Sequence, residues 1–234
     1  MDLSKKLTLE SVLEGQVLLF DKPLNWTSFQ VVNKVRWLLK KKFNLKNIKV
    51  GHAGTLDPLA TGLLILCTGK MTKKISEYQG MPKTYTGCFL LGATTSSYDL
   101  ETPIDQQFDT NSITAEQIEK VRKQFLGVQQ QYPPIFSALK QQGTRLYELA
   151  RKGEEVKIQA REITLYSFDL ESVDFPTLHF RVQCSKGTYI RSLANDFGKA
   201  LNNGAHLTQL RRTAIGTYTV ENAISLEDFE VLLM

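Results

Sequence analysis

The stretch Gly51-His52-Ala53-Gly54-Thr55-Leu56-Asp57-Pro58-Leu59-Ala60-Thr61-Gly62 decides how this chain is read. Three glycines and a proline within twelve residues give it loop composition, with a backbone that bends tightly and lets another molecule come close. The run that follows, Leu63 to Thr68, is apolar and of strand length. Asp57 stands at the centre of the loop. From Lys22 to Ser76 it is the sole acidic residue, among eleven lysines and arginines. A carboxylate alone in a basic field is either paired with a cation for structure, or does chemistry on a polyanion that the field attracts. Pro58 biases Asp57 to extended geometry and removes a competing backbone donor. Asp-Pro is also a common turn former, so spacing alone divides evenly between the two readings.

Outward from this loop the chain reads as alternating short elements. Val17 to Phe20 is a strand closed by Asp21-Lys22-Pro23. Thr27 or Ser28 caps a helix whose apolar positions Val31, Val32, Val35, Leu38 and Leu39 recur at helical spacing. Its other face carries Lys34, Arg36 and Lys40, and Lys41, Lys42, Lys46 and Lys49 follow. Such charge runs are usually solvated faces, but no acid balances this one, and a phosphate-facing surface fits it. Met71 to Tyr78 reads as a short helix and Thr84 to Leu91 as a strand. Thr114 opens a helix with a capping-box pattern to Gln117, with Ile118, Val121 and Phe125 on one face. Gln129 to Arg151 has the look of an inserted lobe, beginning at Pro133-Pro134, with a helix near Thr144 to Ala150. Ile163 to Leu170 and Thr177 to Cys184 are strands joined around Pro176. In the second, Leu178, Phe180, Val182 and Cys184 alternate onto one face. Gly187 leads into a helix with the stripe Ile190, Leu193, Ala194, Phe197, Ala200 and Leu201. Strands near Leu207 to Arg212 and Thr217 to Val220 and a helix capped by Ser225 end the chain. The mixture predicts an α+β fold around a mostly antiparallel sheet flanked by helices.

Composition bounds the function. The 234 residues are 42% hydrophobic and 23% charged, ordinary for a globular protein, with a net charge of +5 that suits a polyanionic partner. Cys67, Cys88 and Cys184 are odd in number, far apart and without a C-x-x-C pair, so they read as buried reduced thiols of a cytoplasmic protein. The longest apolar run, Leu63 to Cys67, is too short to span a bilayer. Only His52, His179 and His206 are present, without useful ligand spacing, and no nucleotide fingerprint occurs, so neither metal nor cofactor is expected.

Taken whole, GHAGTLDPLATGLL resembles the signature of the tRNA pseudouridine synthase B family, whose members convert the T-loop uridine at tRNA position 55 to pseudouridine. Asp21-Lys22-Pro23 resembles the family's N-terminal motif, and Lys83-Thr84-Tyr85 its second. Pro133-Pro134-Ile135-Phe136-Ser137-Ala138-Leu139-Lys140 and Leu146-Tyr147-Glu148-Leu149-Ala150-Arg151 resemble its inserted lobe. Ser185-Lys186-Gly187-Thr188-Tyr189-Ile190-Arg191-Ser192-Leu193 resembles its third motif, and Leu210-Arg211-Arg212-Thr213 its last. The ordered match runs from about Gln16 to Leu226.

The resemblance implies a pseudouridine synthase fold and a single catalytic domain over residues 1–234, with the inserted lobe at about 129–152. It implies that Asp57 is catalytic. Arg191 sits in the first turn of a helix, where the dipole disfavours a cation, so a specific partner is expected; by analogy this is Asp57. Tyr85 stacks on the flipped uracil, Tyr189 lines the same pocket, and Leu210 touches the base. His52 enters the space left by the flipped nucleotide. Lys22 and Lys73 match motif positions that meet RNA. Many family members carry a C-terminal PUA domain; with the sequence ending at Met234 none is expected here, which leaves affinity to the catalytic domain and its lobe. The partner is the tRNA T-arm, with no membrane, no obligate protein partner and a monomeric state expected. Asp57 attacks the uracil ring or the ribose anomeric carbon, or abstracts a proton; the residues do not choose among these. Two other readings stand beside this one. They are a non-catalytic RNA-binding or RNA-chaperone protein on the same fold, and a uracil-releasing glycosylase.

Overall fold

A computed structural model describes residues 7–137 and 158–234, with the backbone of 140–141 and 144–145. In chain order the elements are α1 (Leu9–Glu14), β1 (Val17–Lys22), α2 (Ser28–Lys42), β2 (Val50–His52), β3 (Ala60–Thr68), α3 (Ile75–Gly80), β4 (Lys83–Leu91), β5 (Ala93–Thr95) and β6 (Ile104–Gln107). Then come α4 (Ala115–Gln124), β7 (Gly127–Gln131), β8 (Lys140–Gln141), β9 (Thr144–Arg145), β10 (Arg161–Asp174), β11 (Thr177–Cys184), α5 (Ile190–Ala200), β12 (Ala205–Ile215), β13 (Tyr218–Thr219) and α6 (Leu226–Leu233). The protein is α+β, and its strand pairs are mostly antiparallel, as the pattern of short strands and capped helices predicts.

The chain divides into two compact units. The first comprises residues 1–85 and 210–234, the second 86–209, so β4 and β12 each contribute residues to both. In the first unit β3 is the organising strand. Its residues Leu63 to Cys67 are fully buried because each face meets a separate cluster. Leu64 and Leu66 join Leu18, Phe20, α2 and α6 in one cluster. Leu63, Ile65 and Cys67 join Ala53, Tyr78 and Ile215 in the other. A strand buried on both faces shows no alternation, which is why this stretch reads as a continuous apolar run. One edge of β3 pairs antiparallel with β1, from Val17↔Cys67 to Lys22↔Gly62. The other edge is shared: its start pairs parallel with β12, Leu210↔Ala60 to Arg212↔Gly62, and its end antiparallel with β2, Val50↔Thr68 to His52↔Leu66.

In the second unit β11, β10 and β7 are antiparallel neighbours, with β4 beside β11. Leu178, Phe180, Val182 and Cys184 are fully buried, as their alternation predicts. Phe180, Phe89, Phe168 and Phe197 pack as one aromatic cluster, with ring centroids 4.3 Å apart for Phe89 and Phe180 and 5.8 Å for Phe168 and Phe197. Such rings carry most of a small core, since burying one is worth about 1.5–3 kcal/mol.

Thr27, Thr114 and Ser225 cap their helices as expected, the first two with complete capping boxes. Several boundaries differ. The strand expected from Leu63 begins at Ala60, because β12 supplies hydrogen bonds that no local pattern announces. The Met71 to Tyr78 helix is two pieces, a 3-10 turn over Gly69–Lys74 and then α3. α1 was not expected; six residues are too few for a visible period, and its signal is the Thr8–Ser11 capping box. The helix placed near Thr144 is corrected at its start, where Thr144–Arg145 pairs as β9 with β8. The rest of that segment, Leu146 to Ala150, lies outside the described residues. The three cysteines are buried and free, and burial pushes the Cys67 thiol up to about 11.

Candidate active site

β2 leaves the end of β3, the chain loops through residues 53–59, and it returns as the start of β3. Asp57 is thus carried in a connection whose two ends lie along one strand. The loop is pinned through its backbone. Ser28, 2% exposed at the start of α2, accepts from Leu56 N at 2.8 Å and donates to Leu56 O at 3.2 Å, clamping the peptide just before Asp57. Asn25 N donates to Pro58 O at 2.8 Å, just after it. Ala60 N closes a turn onto Asp57 O at 3.1 Å. A loop bonded on both flanks of its carboxylate keeps that side chain's origin fixed while the side chain itself stays half-buried.

Arg212 completes the frame. It is 1% exposed; its Nε donates to Leu63 O at 2.7 Å and its Nη2 to Gly54 O at 3.1 Å, tying the loop to the strand that follows it. The close approach of Arg212 requires glycine at position 62. There φ is +103°, and a Cβ would lie 2.3 Å from Arg212 O. Sequence reasoning quoted Arg212 within a motif but gave it no role; its guanidinium acts across 149 residues on Leu63, a separation that no local pattern reveals.

Lys22 is not a surface cation. It is fully buried, and its Nζ donates to Pro23 O at 2.8 Å, Trp26 O at 2.6 Å and Pro58 O at 3.4 Å. With its donors turned onto three carbonyls it braces the Asp57 loop. Burial lowers its pKa to about 8, opposed by the field of Asp57, while Arg212 lowers it further and Asp21 raises it. His52, at the end of β2, is half-buried; burial and the Arg212 charge hold its pKa below the ordinary histidine value, and the Gly54 backbone opposes them. Leu210 is half-buried opposite Ala60, three residues beyond Asp57. Beside it Arg211 forks onto Asp21, with Nη2 at 2.6 Å and Nη1 at 3.1 Å from the two carboxylate oxygens. Tyr85 is buried in β4 at 8% exposure, and Lys73 is exposed.

The remaining expected residues belong to the second unit. Arg191, in the first turn of α5, is 3% exposed, with its Nε 3.6 Å from the carboxylate of buried Asp99 and its Nη1 donating to Ser97 O at 3.2 Å. Asp99 was not singled out from sequence; it is one acid among several near Asp105, and only the fold buries it beside a guanidinium. Tyr189 is the N-cap of α5. Its peptide is gripped by buried Gln131, whose Oε1 accepts from Tyr189 N at 2.8 Å and whose Nε2 donates to Tyr189 O at 3.0 Å. Arg161 lies over the Tyr189 ring, 5.0 Å from its centroid, and donates to Gly187 O at 3.3 Å. Gln131 escaped notice because a glutamine in an edge strand looks like a solvent residue. Asp57, His52, Leu210, Tyr85 and Lys73 thus lie in the first unit, with the bracing pair Lys22 and Arg212, and Arg191 and Tyr189 lie in the second. No helix among the described residues is long and apolar enough to cross a membrane.

Comparison with known proteins identifies the family. Residues 40–190 match the family model of the TruB family pseudouridylate synthase N-terminal domain, and residues 191–234 that of the tRNA pseudouridylate synthase B C-terminal domain. The tRNA pseudouridine synthase B of Flavobacterium johnsoniae is 61% identical over 225 residues, covering 96% of this chain and 98% of that protein. The tRNA pseudouridine synthase B of Phocaeicola vulgatus is 53% identical, covering 92% of each. Among solved structures, a chain of a Cbf5-Nop10-Gar1 complex superposes with a TM-score of 0.72 at 29% identity. It covers 97% of this chain, which spans only 57% of that one. A chain of an H/ACA RNP bound to a substrate RNA containing 2'-deoxyuridine gives 0.69 at 27% identity, covering 97% of this chain and 56% of that one. With its two family matches abutting and a 61% identical relative matched almost end to end, the chain belongs to the tRNA pseudouridine synthase B family.

Proposed function

We propose that this protein is the tRNA pseudouridine(55) synthase of its cell, isomerising the T-loop uridine. The observation that carries the reading is the Asp57 loop. A single carboxylate in a basic stretch is held by backbone bonds on both sides, at Leu56 and at Pro58, in a chain of this family. The reaction breaks the bond from N1 of uracil to the ribose anomeric carbon and makes one from C5. The proton lost at C5 balances the proton gained at N1, so no group enters or leaves.

Asp57 is the catalytic residue in this reading. Tyr85 stacks on the extruded uracil, Leu210 touches the base, and His52 fills the place the nucleotide leaves. His52 is suited to that part because burial favours its neutral, stackable form. Arg191, a buried cation in the first turn of a helix, needs negative partners, and Asp99 is one of them. Lys73 meets backbone phosphate. The protein acts as a cytoplasmic monomer on the T-arm.

The test is incubation with an unmodified tRNA transcript, followed by mapping of pseudouridine. The expected product is one pseudouridine at position 55 with no change in RNA mass; free uracil and an abasic site would identify a glycosylase instead. Asp57→Asn is expected to abolish conversion while tRNA binding persists. Turnover by that variant at the wild-type rate would remove Asp57 from the chemistry.

A further inference from the structure

The helix whose first residue clamps the Asp57 loop presents an unusual outer face. Trp37, on α2, is 51% exposed, and Phe29, eight residues earlier, is 63% exposed. Exposed hydrophobics are ordinary taken singly; what sets Trp37 apart is the charge around it. Lys34 and Lys41, one turn to either side, hold their ammonium groups 5.2 and 5.3 Å from the Trp37 ring centroid. Lys34 also pairs with Glu230 at 2.6 Å, which fixes that cation in place. Lys42, Lys46 and Lys49 continue the positive surface, all exposed, and the stretch from Lys22 to Asp57 contributes no acid of its own, Glu230 on Lys34 coming from α6. Lys40 to Lys42 have an ordinary use at a helix C-terminus, where cations suit the dipole. That use does not account for two ammonium groups set over one ring, which phosphates would draw aside as a base takes their place. An aromatic plane flanked by cations is the arrangement that single-stranded nucleic acid takes: a base stacks on the ring and its neighbouring phosphates meet the ammonium groups.

We propose that the Phe29–Trp37 face of α2 is a second RNA contact, at which an unpaired base stacks on Trp37 between Lys34 and Lys41. The RNA is the one whose uridine reaches Asp57, so the inference rests on the proposed function. Distance supports a shared ligand. Ser28 touches the residue before Asp57, and Trp37 lies about 14 Å further along the helix, a span of two or three nucleotides. The site grips RNA without touching the reacting atoms, and an acidic protein partner is the competing occupant of so basic a face.

The two tryptophans make the test direct. In a Trp26→Phe background Trp37 is the sole tryptophan, and titration with an unmodified tRNA transcript should quench its emission at low salt and release it as salt rises. Trp37→Ala is expected to weaken transcript binding and raise KM about tenfold, with Trp37→Phe restoring most of the loss because a ring still stacks. Lys41→Gln should lower the slope of log affinity against log salt by about one. Since these side chains lie at the surface, circular dichroism and Tm should match the parent. An unresponsive Trp37 with an unchanged KM for Trp37→Ala would overturn the proposal, as would quenching by polyglutamate but not by RNA. A wild type that forms no pseudouridine yet shows Trp37 quenching by the transcript would remove the proposed reaction and leave this contact standing.

Discussion

Replacing Arg212 by methionine tests whether the Asp57 loop is held from β12. The methionine fills much of the same volume but donates nothing. Leu63 O and Gly54 O each lose a donor, at 2.7 and 3.1 Å in the wild type. A buried acceptor left unpaired costs about 1–3 kcal/mol. The two together cost about 2–6 kcal/mol, offset in part because a buried charge has also been removed. A net loss of about 2–4 kcal/mol lowers Tm by roughly 5–15 °C in a protein of this size. Activity should fall further than folding does. At a temperature where both proteins are fully folded, Gly54 O is free, the loop loses its anchor, and the geometry at Asp57 loosens; a misplacement of about 1 Å costs on the order of a hundredfold in rate. Thermal unfolding and pseudouridine mapping on a tRNA transcript measure the two effects separately. Arg212→Lys keeps a charge but not the fork and should lie between the two proteins. A methionine variant with wild-type Tm and turnover would refute the bracing role and with it the account of how the loop is aimed.

Two further outcomes follow from the same frame. Gly62→Ala places a Cβ 2.3 Å from Arg212 O at a φ of +103°, so β3 and β12 must part; a stability loss of about 2 kcal/mol or more and loss of turnover are expected by calorimetry and assay, and an unaltered protein would show that the parallel pairing is not tight. Lys22, with its pKa lowered to about 8 from 10.5, binds fewer protons when folded than when unfolded between those values, so its contribution to stability is greatest above pH 10.5 and is lost as pH falls through 8. Denaturant unfolding of wild type and Lys22→Met should therefore diverge in the wild type's favour by roughly 1–2 kcal/mol from pH 8 to 9.5, against the opposite trend of the Cys67 and Tyr78 groups, whose pKa values are raised. A constant difference across that range would mean that Lys22 is not desolvated.

What could be read in advance was local. The stripe Val31, Val32, Val35, Leu38, Leu39 is buried as its spacing requires, and the alternation of Leu178, Phe180, Val182 and Cys184 sets their side of β11. The caps Thr27, Thr114 and Ser225 are legible because a cap binds within three residues. Asp57 drew attention through charge isolation, which is a property of composition. Lys22 shows the limit: the same letter describes a phosphate-binding surface cation and a buried strut, and only the three carbonyls that converge on it decide between them.

By itself, then, the sequence determined the periods, the caps, the position of the lone carboxylate and the order of motifs that places the chain in its family. The tertiary structure alone decided which charges are buried and what each one holds. Arg212 reaches back 158 residues to Gly54, Arg191 meets Asp99, and Gln131 grips a peptide 58 residues away. Local patterns follow from the geometry of one turn or one strand, and these contacts follow from chain closure, which no window of sequence contains.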